Sequence, residues 1–458
     1  MYWLSFLFSC TSTNTDKTQD SATEFTIIPW QKSLPDLTEN DNSLRAIVHL
    51  HSHYSHDACD GDPQPDGIPD ELCLGDLRSA LCAVQIDVAF LSDHPAHSSE
   101  VNDFRDVFLI REGDTPWFDG DTMIANQMHC PSGHSVWVFP GVESANMMPL
   151  ALNHHLSSYE GTSADFQEIR EQHAISWLAH TEQISVETLL AEDIDGFELY
   201  QLHANLDPDI RADFLGLEPL GFLHDVQPFF FPTETENNPP HADLSPLAFL
   251  LPNEPSIVAL ETVGRTKAVG ISAGTDAHQN VFPIAAPDGE RIDSYRRMMR
   301  WFNTRIVVDK DADPIAIREA LRDRKTWIAF ESFGTPHNFQ FTIQDGANVY
   351  PIGSEMSFAS TMNIEISLPT LDSRSPRSET MPNIETRLIF ADAQGRSTLQ
   401  TWSSSTDSGV VSYPVDKAGI YRVEVWMQPL HLTPYLGDRP EYSENWMPWI
   451  YSGAMFVR

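Results

Sequence analysis

The sequence predicts an α/β domain over residues 41–335 followed by a small all-β sandwich over residues 336–458. Three observations predict it. Short apolar strand-like runs alternate with helical patterns up to about residue 335, which implies parallel strands joined by crossovers, hence an α/β barrel or open sheet. Beyond that point, six or so short strands separated by turn residues crowd into roughly 120 residues, the pattern of a sandwich. The length, 458 residues, suffices for two cores of ordinary size.

Taken in order, residues 1–10 (MYWLSFLFSC) are apolar and residues 11–40 form a polar, turn-rich linker. Leu7-Phe8-Ser9-Cys10 resembles a bacterial lipobox at the end of a truncated signal segment, which would make Cys10 a lipid anchor and the protein an exported periplasmic or cell-surface lipoprotein. Strands are expected at 46–49, 86–91, 136–139, 175–178, 196–200 and 268–272, where β-branched and aromatic residues cluster. Helices are expected at 74–84, 166–172, 186–191, 293–302 and 314–322. In the second domain, strands are expected at 339–343, 362–367, 386–390, 410–413, 421–427 and 449–457; Tyr421-Arg422-Val423-Glu424-Val425-Trp426 alternates with the period of two that a half-buried strand requires.

Nearly every strand of the first domain runs into a residue able to bind metal. The first ends in His49-Leu50-His51, and residues two apart on a strand project from one face. The next runs into Ser92-Asp93-His94, then come Gly141-Val142-Glu143, Ala179-His180 and Gly274-Thr275-Asp276-Ala277-His278, with Asn153-His154-His155 between. Strand C-termini are where catalytic residues gather in parallel α/β folds. Any one of these reads equally as a solvated turn; all together they read as one centre.

His49-x-His51-Ser52-x-x-Ser55, Ser92-Asp93-His94, Gly141-Val142-Glu143, Ala179-His180 and Gly274-Thr275-Asp276-Ala277-His278, in that order, resemble the motifs of the polymerase-and-histidinol-phosphatase (PHP) domain family. The resemblance covers roughly residues 45–335. It implies a distorted (βα)7 barrel that binds two or three divalent ions, Zn, Mn or Fe. It carries His49, His51, His94, Glu143, His180, Asp276 and His278 over as ligands, with His155 or its neighbour His154 as an intermediate ligand. After the His-x-His pair both His56 and Asp57 stand near the expected place, and Asp57 is favoured. His49, His51, Glu143 and Asp276 would act in catalysis through the bound metals, with Glu143 bridging two ions. Asp93 is expected behind the ligands, as an acceptor that orients one of them, and Glu198, in an Asp-Gly-x-Glu pattern, could do the same. The C-terminal region, with Gly419-Ile420-Tyr421-Arg422-Val423-Glu424 and Pro448-Trp449-Ile450-Tyr451-Ser452, resembles the sandwich of exported PHP proteins in the carbamate-hydrolase branch.

Charge narrows the partners. Lys and Arg total 28 against 66 Asp and Glu, a formal charge of −38, which disfavours nucleic acid and anionic membrane and suits cation binding. The expected partner is a small anionic or ester substrate, with a membrane reached only through a lipid at Cys10. Setting Cys10 aside leaves Cys59, Cys73, Cys82 and Cys130; of the three possible pairings, Cys59–Cys73 with Cys82–Cys130 is favoured. Asp60-Gly61-Asp62-Pro63-Gln64-Pro65-Asp66-Gly67-Ile68-Pro69-Asp70 clusters four aspartates and resembles extracellular calcium loops, while also reading as a solvated acidic loop. Arg265 and Lys267 precede the last metal strand and could meet an anionic substrate, or be ordinary loop charges. Cys130 with His129 and His134 lacks a second pair and reads as structural. His97, His173, His203, His224 and His241 read as surface or core residues. Phe229-Phe230-Phe231, framed by Pro228 and Pro232, reads as a loop cover or pocket wall.

The function expected from the whole is a metal-dependent hydrolase, first a phosphoesterase with a metal-activated water as nucleophile. The same metal site would serve a carbamate, amide or carboxylic ester. A reading from another class is a non-enzymatic surface protein that binds through calcium.

Overall fold

The structure, a computed structural model, describes residues 30–98, 101, 103–233, 237–372 and 378–458; Cys10 and its flanking apolar segment lie outside them. Ten strands place the site: β1 (Leu44–Val48), β2 (Val88–Phe90), β3 (Thr115–Asp119), β4 (Thr122–His129), β5 (Ser135–Phe139), β6 (Trp177–Leu178), β7 (Gly196–Gln201), β8 (Gly270–Gly274), β9 (Asn303–Ile306) and β10 (Thr326–Ala329). β1, β2 and β5 are parallel, with Ala46 opposite Val88 and Val88 opposite Trp137. β6, β7 and β8 form a separate parallel sheet, with Trp177 opposite Gly196 and Gly196 opposite Gly270. Helices such as Glu71–Ala83, Val186–Ala191 and Pro314–Arg322 form where the periodicity expects them, the first capped by Asp70, whose carboxylate accepts from the amides of Leu72 and Cys73.

The expected (βα)7 barrel followed by a separate sandwich is overturned. Among the described residues no sheet closes on itself. The free edge of β5 is taken by β4, which forms an antiparallel hairpin with β3, so β5 never pairs with β6. On the other side, β9 runs antiparallel to β1, and β10 antiparallel to β9. β10 in turn pairs with Met447–Ser452, Ile328 lying opposite Tyr451. The C-terminal strands Gly419–Gln428, Asn383–Asp392, Gly395–Ser403 and Met455–Val457 continue from there, giving one mixed sheet of 13 strands that runs from the first region into the last. Among the described residues the other large C-terminal sheet is a four-stranded antiparallel one built from Gln340–Asp345, Asn348–Pro351, Asn363–Ser367 and Val410–Pro414. Alternation of strand and helix cannot reveal an antiparallel strand such as β9 or β10, because a strand's direction leaves no trace in its apolar period.

Both parallel sheets nevertheless aim their carboxyl ends at one place. A parallel bridge between Leu50 and Ala277, with the His51 amide donating to the Ala277 carbonyl at 3.1 Å, ties the end of β1 to the end of β8. A second bridge, Asp93 to Val142, ties the ends of β2 and β5. Ligand sites in open α/β sheets form at such carboxyl ends.

Disulfides join Cys59 to Cys73 and Cys82 to Cys130. Such bonds persist in oxidising compartments, so the chain is an exported, non-cytoplasmic protein. Among the described residues no helix is long and apolar enough to cross a membrane.

Candidate metal centre

β1 is buried along its whole length, and it delivers His49 and His51 to its end with no solvent exposure. The His49 Nε2 atom lies 3.1 Å from His51 Nε2, 3.1 Å from Glu143 Oε2 and 3.2 Å from Asp276 Oδ1. His51 Nε2 lies 3.4 Å and 3.3 Å from the same two oxygens. A second group adjoins the first. His278 stacks on His51 with ring centres 3.6 Å apart, and its Nε2 is 3.3 Å from Asp57 Oδ1, while His94 Nε2 is 3.7 Å from Asp57 Oδ2. A third comprises His180, His203 and Asp276.

The two central carboxylates face more than one group. Glu143 turns Oε2 toward His49 and His51 and Oε1 toward His180 Nε2, at 2.8 Å. Asp276 turns Oδ1 toward His49, His51 and His278, and Oδ2 toward His203 Nδ1 at 3.3 Å.

What aims the imidazoles is the far nitrogen of each ring. His94 Nδ1 donates to the Glu143 carbonyl and His278 Nδ1 to the Asp276 carbonyl, both at 2.9 Å. His49 Nδ1 sits 2.7 Å from Glu198 Oε1, and His51 Nδ1 sits 3.0 Å from Ser55 Oγ, which itself donates to Asp57 Oδ1 at 2.9 Å. With Nδ1 hydrogen-bonded in each, Nε2 of the four rings is the nitrogen that points inward and is left for a metal. Glu198 reaches His49 because residue 274 is glycine: a Cβ there would stand 1.9 Å from Glu198 Oε1. The same Glu198 accepts from the His180 amide through Oε2 at 2.9 Å.

The backbone is strained where the ligands sit. His49, His180 and Asp276 adopt φ of 124°, 50° and 50°, a region that side-chain-bearing residues seldom occupy. Such outliers gather at functional sites, where surrounding structure enforces them.

The charges reinforce one another. Burial alone would raise the carboxyls of Glu143 and Asp276, yet His49 with His180, and His49 with His278, hold them well below the usual range. Burial would likewise discharge His278, but Asp276 and Asp57 push it up to about 9. His51 goes the other way, to about 4, through burial and the neighbouring His278. The charges that set these shifts are imidazoles and carboxylates of the centre itself.

The donor set fits a transition metal. Imidazole nitrogens with carboxylate oxygens suit Zn, Mn or Fe. Asp276 Oδ1 and His278 Nε2 are buried and face polar atoms at 3.2–3.3 Å, yet make no hydrogen bond of good geometry, whereas buried polar atoms are nearly always satisfied. Several buried His/Asp/Glu groups can therefore hold metal ions.

Not every expected residue arrives. His155 stays away: the amides of Asn153 and His154 are both held by Gln172 Oε1, at 3.1 and 3.2 Å, which pins that segment beside the Ser163–Glu171 helix. Its ring packs edge-on against Phe104, and His154 bonds Asn153 Oδ1. His203 stands in the centre instead, carried by the short helix Leu202–Leu206 directly after β7, with Asp207 Oδ2 3.4 Å from its Nε2. A histidine at a strand's carboxyl end was the signal for it, and the Gly196–Gln201 run ends two residues short. Asp57 joins the second group, whereas His56 is exposed with its ring 5.2 Å from His94. Asp93 is buried, and burial raises its carboxyl to about 6. It accepts from the Ser52 amide and hydroxyl, so it fixes the backbone after His51 instead of a ligand ring.

The remaining candidates lie elsewhere. Among Asp60, Asp62, Asp66 and Asp70 none enters a described metal-capable group; Asp60 pairs with Arg291 and Asp70 caps a helix. Lys267 donates to the carbonyls of Leu189 and Glu192, and Arg265 is exposed. His134 bonds the Ile86 carbonyl, beside the Cys82–Cys130 disulfide.

Comparison with models of known protein families finds no match to this chain, and comparison with curated proteins finds none.

Proposed function

We propose that this protein is a metal-dependent hydrolase of the PHP type. The observation that carries the reading is the set of four imidazoles, His49, His51, His94 and His278, each tethered at Nδ1 and aimed at Nε2 into a cluster holding Glu143, Asp276 and Asp57. His49 and His51 with Glu143 and Asp276 would hold one ion, His94 and His278 with Asp57 a second, and His180 with His203 a third. When bound, the ions supply a water of lowered pKa and positive charge to offset the oxyanion of the transition state.

The residues around them set orientation. Glu198 keeps His49 in one tautomer, Ser55 links His51 to Asp57, and Asp207 braces His203 from behind. Glu143 and Asp276, each with its two oxygens directed to different groups, are the natural bridges.

The PHP resemblance favours phosphoesters. The electrostatics support the other bond, an uncharged ester, carbamate or amide. Imidazoles and carboxylates dominate the centre, and of the two cationic candidates from the sequence Lys267 bonds the Leu189 and Glu192 carbonyls and Arg265 is exposed. A phosphate-binding pocket ordinarily adds guanidinium or ammonium groups to its metals. Carbonyl hydrolysis is therefore the preferred reading. Metal-reconstituted protein assayed on phosphomonoesters, phosphodiesters, carboxylic esters and carbamates tests it: turnover confined to phosphoesters would overturn the choice of bond, and protein unable to retain any transition metal would overturn the class.

A further inference from the structure

Between the Gly221–Phe230 and Tyr295–Trp301 helices lies a cavity of about 60 Å³ with an apolar lining. We infer that it binds an apolar group of the substrate, a short alkyl chain or a single ring, next to the bond that is cut. The inference rests on the hydrolase reading and names its substrate class: an uncharged ester, carbamate or amide with one small hydrophobic side.

Continuity with the centre argues for this occupant. Leu206 lines the cavity and lies one helical turn beyond His203, on the same Leu202–Leu206 helix. Val281 and Phe282 line it too, three and four residues after His278. The far wall comes from the Gly221–Phe230 helix and from Met298 and Trp301 of the Tyr295–Trp301 helix. One acidic residue, Asp293, borders the cavity, but its Oδ2 accepts from the amides of Val281 and Phe282 at 2.7 and 2.9 Å, and both its oxygens meet Arg291. Its charge is thus directed into the wall. Asp293 also fixes the two lining residues that follow the His278 loop, so cavity and centre share a frame.

A charged substrate group would lose its hydration here without gaining a partner, whereas an apolar one gains by leaving water. Phe231, which lines the cavity, is 37% exposed.

Two measurements on the full chain test the inference. In the first, metal-loaded protein is assayed on 4-nitrophenyl acetate, propionate and butyrate, esters that share a leaving group. The expected result is a rise in kcat/KM of about fourfold per added methylene, and a flatter slope in Phe231→Ser and Phe282→Ser. A flat or falling series with intact metal-dependent acetate turnover overturns the inference and leaves the hydrolase reading standing. The second needs no turnover: phenol is titrated into metal-free and metal-loaded protein while the ¹³C-methyl resonance of Met298, assigned by its loss in Met298→Leu, is followed. A saturable shift in both forms, weakened in Phe231→Ser, supports the inference. Absence of any shift overturns it whatever the activity. Sedimentation that finds this face buried between two copies of the chain would assign the cavity to self-association and overturn it as well.

Discussion

The Tyr295 hydroxyl lies 2.9 Å from the His51 carbonyl oxygen, a contact that spans the core between the Tyr295–Trp301 helix and the end of β1. The same hydroxyl is 3.1 Å from the His278 carbonyl. One buried phenol thereby holds the backbone of two stacked ligands. Burial raises its pKa well above the ordinary value, so it remains a proton donor at neutral pH.

Tyr295→Phe keeps the ring and removes the donor. A single such bond contributes about 1 kcal/mol, so transition-metal affinity should fall by up to about fivefold, measured by competition with a chromogenic chelator. Unchanged affinity would mean that the Ala277–His51 backbone bond suffices to hold the pair.

The Cys59–Cys73 disulfide closes a loop of sequence separation 14 around the acidic segment, two residues after Asp57. The Cys59 amide donates to the His278 carbonyl and Asn280 donates to the Asp57 carbonyl, so this loop and the His278 loop are sewn together. Replacing both cysteines by serine should lower stability by about 3 kcal/mol and also reduce metal retention. Loss of Cys82–Cys130, which is remote from the ligands, should lower the melting temperature alone. Equal metal content in the two double variants would refute this division.

His203 and His155 provide a direct contrast. His203→Gln should reduce bound metal by up to one ion per chain as read by elemental analysis, because it removes a nitrogen beside Asp276. His155→Gln should leave metal content unchanged, since its ring packs on Phe104 and meets Tyr159. The reverse result would restore the assignment implied by the family motifs.

Acid stability should depend on Glu331. Burial alone would raise its carboxyl, but Arg305 and Arg45, cross-strand neighbours on β9 and β1, hold it down to about 2 from 4.5. A depressed carboxyl contributes stability that is complete above its unfolded pKa and is lost as pH falls toward the folded one. Unfolding free energy should therefore decline between about pH 4.5 and 2 from this group. Glu331→Gln leaves two buried guanidiniums without their counter-charge and should cost about 3–5 kcal/mol at neutral pH, with a correspondingly flatter acid limb in chemical denaturation.

Much of the local structure was legible in the chain. The Ala46-Ile47-Val48 run, the helix at 314–322 and the strand at 196–200 follow from period and propensity, which act over a few residues. The flanking prolines predict a loop cover or pocket wall at Phe229-Phe230-Phe231; the structure extends the Gly221–Phe230 helix through Pro228, since burying Phe222, Val226, Phe229 and Phe230 on one side outweighs one lost backbone bond. Phe230 and Phe231 line a cavity, which agrees with a pocket wall.

By itself the sequence determined which residues stand at strand ends with metal-binding chemistry: His49, His51, His94, Glu143, His180, Asp276 and His278 all fall in adjoining metal-capable groups. That follows because a parallel strand has a carboxyl end wherever its apolar run stops. Tertiary structure alone decided that the sheet stays open and extends into the C-terminal strands, that His203 enters the centre while His155 is pinned to Gln172, and that Asp93 serves Ser52. Strand direction, edge pairing and the path of a loop depend on contacts between residues tens to hundreds apart, and no local pattern encodes them.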